Sequence, residues 1–233
     1  MGQILMDQLT SISDIRKKEF TMHNVQKTND FNEITMGRRS IKTYDPTVKI
    51  SREEMSEIIA KATRAPSSVN LQPWRFVVID SEEGKETLSH LARFNKDKVM
   101  SSSAVIAVFA DMNNFEYLEE IYEKAAELGY MPNEVKEQQM NAIGQFYKVM
   151  PESALRDTNI LDAGLVSMQL MLVARAHGYD TNAIGGYEKD QIAEVYGLDK
   201  DRYLPIMLIT IGKAASEGFE SYRLPVETVT TWR

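Results

Sequence analysis

Cysteine is absent from all 233 residues. That excludes disulfides, thiolate catalysis and Cys-based metal or iron–sulfur sites. Histidine is scarce, with His23, His90 and His177 the three in the chain, and a His-rich metal centre is not expected. His177 falls at a helix C-terminus, where it complements the dipole. His90 lies on an exposed helix and His23 in the N-terminal arm, so histidine catalysis is not expected either. The signatures G-x-S-x-G, G-x-x-x-x-G-K-[ST], H-E-x-x-H and G-x-G-x-x-G are all missing. No apolar run is long enough to span a membrane. The longest, Ile160 to Ala176, is broken by Asp162, Ser167, Gln169 and Arg175 and falls short of the ~20 residues a span needs. The chain opens without a basic segment followed by an apolar core, and a cytoplasmic protein is expected. A net charge of −7 disfavours non-specific binding to nucleic acid or anionic membranes.

What is present reads as an ordinary globular chain, 43% hydrophobic and 26% charged. Residues 1–27 look like an N-terminal extension ahead of a single domain, 28–233. The extension is either a mobile or partner-packed arm, or a translated ribosome-binding sequence over Arg16–Glu19 with initiation at Met22. Asp30 caps a short helix over Phe31–Gly37 with Phe31, Ile34 and Thr35 facing inward. Ser51 and Glu54 form a capping box for a helix running to Arg64, its apolar face Met55, Ile58, Ile59 and Ala62. Strands are expected at Arg75–Asp80, Ala104–Ala110, Asp180–Ile184 and Leu204–Ile211. The first two are near-continuous apolar runs, which suits burial on both faces. Ser81 caps a helix through Leu91, and Arg93–Met100 reads as a polar segment. Residues 113–150 form a charged helical excursion with breaks near Gly129 and Pro132. The longest helix runs from Glu152 to before Gly178 and is apolar nearly all round from Ile160 to Ala174. Burial on all sides, in the core or at a subunit interface, is therefore expected, with Met168 and Met171 as packing. A small helix follows at Lys189–Tyr196. Helices alternating with strands around a small sheet leave α/β and α+β both open.

Two stretches carry chemistry. Ala65–Trp74 (A-P-S-S-V-N-L-Q-P-W) is a polar loop between a helix and a strand. Its prolines hold the backbone extended, and its hydroxyls and amides face whatever lies against it. The same composition suits an ordinary turn-rich connection. Arg38, Arg39 and Lys42 place three cations around Ser40, the groups a phosphate needs, with Arg223 able to close the same site. A solvated basic helix end has the same composition. With no catalytic set present, a cofactor that supplies the reactivity is the remaining option.

Taken together, Arg38–Asp45, Ala65–Trp74, Phe94–Lys98, Ile184–Tyr187 and Ser221–Pro225 occur in the order seen in the FMN-dependent nitroreductase family, which the chain resembles over roughly residues 30–233. The resemblance implies an α+β fold with a mainly antiparallel central sheet flanked by helices, in an intertwined homodimer. Two FMN sites would lie at the interface, with the C-terminal tail wrapped over the partner and joining its sheet. Arg38, Arg39, Ser40 and Arg223 match residues that hold the FMN phosphate, and Lys42 the cation beside the flavin pyrimidine. Asn95 and Lys98 match polar contacts to ring and ribityl chain, and Pro66, Ser67, Ser68 and Asn70 the wall from the second subunit. Ile184, Gly185 and Gly186 match the turn approaching flavin N5. Enterobacterial members carry a glutamate where this chain has Gly185 and a lysine where it has Ser221. The implied activity is ping-pong transfer from NADH or NADPH to nitroaromatics, quinones or similar acceptors. Alternatives are enone reduction, dehalogenation or another flavin chemistry, and non-catalytic FMN binding. The excursion would shape acceptor access, with Phe115, Tyr117, Tyr122, Phe146 and Tyr147 either stacking on planar substrates or forming core.

Overall fold

The computed structural model describes residues 26–233. The expectations for Arg16–Glu19 and for initiation at Met22 lie outside the described residues. Phe31–Gly37 forms α1, Arg52–Ala62 α2, Trp74–Ile79 β1, Glu82–Leu91 α3, Lys96–Ser101 α4 and Ala104–Asp111 β2. Then follow α5 (Leu118–Glu127), α6 (Asn133–Val149), α7 (Glu152–Ala176), β3 (Asp180–Ile184), α8 (Lys189–Val195), β4 (Tyr203–Gly212) and the short α9 (Val226–Val229).

The class is α+β. Among the described residues the strands form one sheet in the order β1-β2-β4-β3, every pair antiparallel. β2 is buried along its whole length, as its unbroken apolar run requires. Its side chains divide with period two. Ala104, Ile106 and Val108 pack with Met55, Ile58, Val166 and Leu170 of α2 and α7. Val105, Ala107 and Phe109 pack with Leu88, Val99 and Ile192 of α3, α4 and α8. The result is a sheet between two helical layers. Opposite Val108 and Phe109 the register slips past Ile206, pairing Met207 and then Pro205. β3 covers β4 only from Leu208 to Gly212, so Pro205, which has no N–H to donate, sits at the bulge where β4 is paired on the β2 side alone among the described residues.

Helix boundaries follow capping chemistry. Asp30, Ser51 and Ser81 accept from the backbone N–H three residues on. Gly178 closes α7 at φ 85°, the left-handed C′ position that glycine adopts without strain. One expectation is corrected. Phe31 faces outward, whereas Ile34 is buried. The polar segment Arg93–Met100 overlaps α4, which buries a single apolar side chain, Val99, too little for a visible period. The long helix α7 is not covered all round within one chain. Ala163, Val166, Leu170 and Ala174 are enclosed, but Leu161, Leu165 and Met168 stay 65%, 41% and 42% exposed.

The capping box at α2 is only half formed. Ser51 caps Glu54 N at 3.1 Å, while the Glu54 carboxylate turns away to accept from Tyr179 Oη at 2.7 Å and pair with Lys27 at 2.9 Å. His177 lies beside it, with Nδ1 3.4 Å from Glu54 Oε1 and Nε2 2.9 Å from Lys61 Nζ. Lysine has no lone pair to offer, so Nε2 accepts and the ring proton sits on Nδ1. His177 thus ties two helices together and is not a simple dipole partner. Burial alone would raise the Glu54 carboxyl, but the bonds from Lys27, Tyr179 and His177 outweigh it and hold it below the usual 4.5. A depressed carboxyl adds stability above its unfolded value and loses it as pH falls through the folded one. Glu54→Gln is therefore expected to lower stability by roughly 1–2 kcal/mol at neutral pH. In urea melts that difference should shrink steadily below pH 4.5.

Candidate functional site

Residues 38–45 form a strap across the free edge of β3. Ser40 bridges Thr181 in parallel, Ile41 N donates to Thr181 O at 3.1 Å, and Asn182 Nδ2 donates to Ile41 O at 2.8 Å. Ile41 and Tyr44 are the buried anchors. The Tyr44 hydroxyl lies 2.8 Å from Thr210 Oγ1, and burial pushes its pKa far above the usual range. This alternation leaves Ser40 and Lys42 exposed and Arg38 and Arg39 half-buried. Among the described residues, Arg38, Arg39, Lys42, Lys98 and Arg223 form no ion pair.

The strap meets two further segments. Tyr44 N donates to Ser101 Oγ on α4 at 3.3 Å. One turn back on the same helix, Lys98 Nζ donates to Asn95 Oδ1 at 2.6 Å. Asn95 Nδ2 in turn donates to Gly186 O at 3.1 Å. Glu188 N reaches Leu91 O at 2.9 Å, so the turn after β3 is held against the end of α3. A Cβ added to Gly185 would meet nothing within 4 Å, so the backbone there faces open space. Thr181, beside Ser40, and Gly185 are four residues apart along β3, roughly 13 Å at the extended rise. The edge of β3 thus carries a row of donors and unpaired cations, ending at a turn with an open face. That is a donor set suited to an elongated, phosphate-bearing ligand with a polar ring.

The start of the C-terminal tail clamps the strap. Ala215 N donates to Thr43 O at 3.0 Å and Asp45 N to Lys213 O at 2.8 Å. Lys42 Nζ sits 4.8 Å above the Phe219 ring. Gly218 lies so close to Arg39 Cβ that an added Cβ would collide with it and stand 3.2 Å from Ile41 Cδ1. Gly218→Ala is therefore expected to lose about 1–3 kcal/mol, as overpacked contacts do, and to speed amide exchange at Ile41 and Ala215. A loss of unfolding free energy in urea of less than a tenth of that would contradict the clamp. Neither Gly218 nor Phe219 stood out in the sequence, nor did Ser101; a glycine beside an aromatic in a tail without helical period was the available signal.

The other expected residues lie elsewhere. Pro66, Ser67, Ser68 and Asn70 precede β1 at the opposite edge of the sheet. Trp74 aligns with Ala110 and thence Leu204, whereas Thr181 aligns with Ile211. Seven residues of β4 amount to roughly 23 Å, and three strand steps add about 14 Å sideways. One chain therefore does not bring this loop to the strap. Arg223 is exposed and, among the described residues, bonds only locally, to Ser221 Oγ at 2.6 Å and Tyr222 O at 3.2 Å.

The loop itself is strained. Val69, Asn70 and Gln72 have φ of 42°, 57° and 46°, a region that costs non-glycine residues on the order of 1–3 kcal/mol each. In the excursion beside it, Tyr122 is buried and donates to Val69 O at 3.1 Å. Tyr147 stacks on Phe115 at 5.0 Å, and Tyr117 lies under the Arg75 guanidinium at 4.5 Å. Phe146 remains exposed. Of the aromatics expected to stack or pack, Tyr122 is core and Phe146 faces outward. Among the described residues no helix is long and apolar enough to cross a membrane.

The nitroreductase family model matches residues 35–213. The chain is 66% identical over 207 residues to YdgI of Bacillus subtilis (strain 168), provisionally named an NAD(P)H nitroreductase, covering 89% of this chain and 99% of that protein. It is 37% identical over 203 residues to the CLA biosynthesis enone reductase of Lactiplantibacillus plantarum, covering 87% and 94%. A crystal structure from Exiguobacterium sibiricum 255-15, described as a provisional nitroreductase in complex with FMN, superposes with a TM-score of 0.88 at 61% identity, covering 90% of this chain and 100% of that one.

Proposed function

The chain belongs to the nitroreductase family, and from that premise we propose that it reduces nitroaromatics, quinones or similar electron-poor acceptors with NADH or NADPH. It is a flavin-dependent oxidoreductase that binds FMN. When bound, FMN supplies the redox chemistry, taking a hydride from the nicotinamide and passing reducing equivalents to the acceptor in a ping-pong cycle. The observation that carries this reading is the row of unpaired cations and donors along the β3 edge. Arg38, Arg39 and Ser40 would hold the phosphate. Lys42 would set positive charge beside the ring, and Asn95 and Lys98 would bond its polar edge. Ile184, Gly185 and Gly186 would leave the backbone free to approach it.

We further propose a homodimer in which Pro66, Ser67, Ser68 and Asn70 of one copy wall the flavin held by the other. Two observations support it: the separation of loop and strap within one chain, and the open stripe Leu161, Leu165 and Met168 on α7. Arg223 and the exposed Tyr222, Leu224 and Trp232 would then reach across the partner. Residues 28–233 would act as one FMN-binding unit in the cytoplasm, where reduced nicotinamide is supplied.

The test is the visible spectrum of the purified protein before and after anaerobic NADH or NADPH. A two-banded yellow spectrum that bleaches supports a flavin reductase, and the faster nicotinamide names the donor. A protein that stays colourless after adding FMN overturns it. The similarity to an enone reductase supports a second reading, reduction of conjugated enones, which an anaerobic acceptor panel separates from nitro reduction.

A further inference from the structure

The loop 67–72 keeps Val69, Asn70 and Gln72 at positive φ, and Val69 is β-branched, the residue kind least suited to that region. Such a conformation persists only where its surroundings over-determine it. Four bonds within the loop help: Asn70 N to Ser67 O at 3.1 Å, Leu71 N to Ser68 O at 3.0 Å, Gln72 N to Ser67 Oγ at 3.1 Å and Gln72 Nε2 to Asn70 O at 3.2 Å. Two anchors come from outside. Tyr122 Oη donates to Val69 O at 3.1 Å. Asp162 Oδ2, on α7, accepts from Ser68 N at 3.0 Å.

Asp162 is out of place by packing logic. It is 4% exposed and sits next to Ala163 on the inner face of α7, where Val166 and Leu170 continue the apolar row. Burial pushes its carboxyl above the usual value, with the Ser68 bond pulling the other way. A buried carboxylate with that single hydrogen bond does not favour stability. Its geometry serves the loop instead. Leu161, its neighbour in sequence, begins the open apolar stripe. The helix that anchors the loop is therefore the helix that would meet a partner copy.

We propose that Asp162 is a positioning residue that holds residues 67–72 in the strained form in which Ser67, Ser68 and Asn70 face the flavin of a second copy. This rests on the function proposed above. Tyr122 is the second anchor of the same form.

The experiment compares the full chain with Asp162→Ala, Asp162→Asn and Tyr122→Phe. FMN affinity is read by fluorescence quenching at low temperature, and loop order by amide hydrogen exchange of the proteins without added FMN. Asp162→Ala is expected to bind FMN about 10-fold or more weakly, the loss of a hydrogen bond to a charged group. It should also speed exchange at residues 68–72 while leaving the strap unchanged. Asp162→Asn keeps an acceptor oxygen and should stay within about 3-fold of the native chain, where a charge-only or bulk-stability role predicts no rescue. Tyr122→Phe keeps its ring in the core and should weaken FMN in the same direction, which preserves the test if Asp162→Ala fails to fold. Native FMN affinity in both Asp162→Ala and Tyr122→Phe overturns the inference alone, as does an Asn variant no better than Ala. A native chain that binds no FMN overturns the proposed function, and the inference with it; faster loop exchange in Asp162→Ala would then mark Asp162 as a structural anchor only.

Discussion

The doubly substituted Arg38→Ala, Arg39→Ala chain is expected to bind FMN at least about 100-fold more weakly than the native one and to bind riboflavin equally well. Two charge-assisted hydrogen bonds to a phosphate contribute about 1.5–3 kcal/mol each, so their loss exceeds two decades even at the low end. Riboflavin lacks the phosphate and serves as the internal control. The strap stays in place without either guanidinium, because Ile41 and Tyr44 are its buried anchors and Ser40 and Ile41 pair with Thr181 through the backbone. Arg39 also donates to Met36 O at 2.6 Å, so some loosening of the α1 end is expected on top. If both flavins weaken together, the arginines shape the strap and do not hold a phosphate. Isothermal titration with each flavin separates the two outcomes.

Asp111→Ala is expected to lower the folding free energy by about 3 kcal/mol, the low end for breaking a buried ion pair. Asp111 is fully buried. It accepts from Arg202 Nε at 2.8 Å and Nη2 at 3.0 Å and pairs with Arg75 at 3.1 Å. Removing it leaves two guanidiniums facing each other, with the exposed Glu116 carboxylate beside Arg202 in place of a buried anion between them. Both keep some contact with water, at 29% and 21% side-chain exposure, which is why the low end applies. The consequences extend to the excursion, since Arg202 also pairs with Glu116 at 3.0 Å and Arg75 stacks on Tyr117. Urea unfolding of native and variant chains measures the effect. A loss under about 1 kcal/mol would mean that the pair is screened like a surface bridge.

The elements were mostly legible where local chemistry sets them. The unbroken apolar run of β2 announced burial on both faces, and Ser81 and Gly178 marked helix ends. The strap and the loop were visible as clusters of cations and of small polar residues. What stayed hidden depends on partners far along the chain. Glu54 resembled a cap three residues from Ser51, yet its carboxylate is spent on Tyr179, 125 residues away. Asp162 read as an interruption in an apolar helix, because Ser68 lies 94 residues from it. The two faces of α7 could not be told apart, since a core contact and a surface left open by one chain are both written in Leu, Met and Val. Val69 at positive φ was illegible for a plainer reason: its intrinsic preference points the other way, and the tertiary bonds override it.

The most direct measurement is flavin binding by mixed dimers. One chain carries Arg38→Ala and Arg39→Ala, and the other carries Ser68→Ala and Asn70→Gly, a change that keeps positive φ without strain. Each alone is expected to hold little FMN. Co-refolded in equal amounts, half the dimers are hybrids, and each hybrid has one intact site made of a native strap and a native loop. The mixture should therefore regain about a quarter of the native flavin absorbance, and NADH or NADPH should bleach it. A mixture no more yellow than its two components would contradict a flavin site built from two copies.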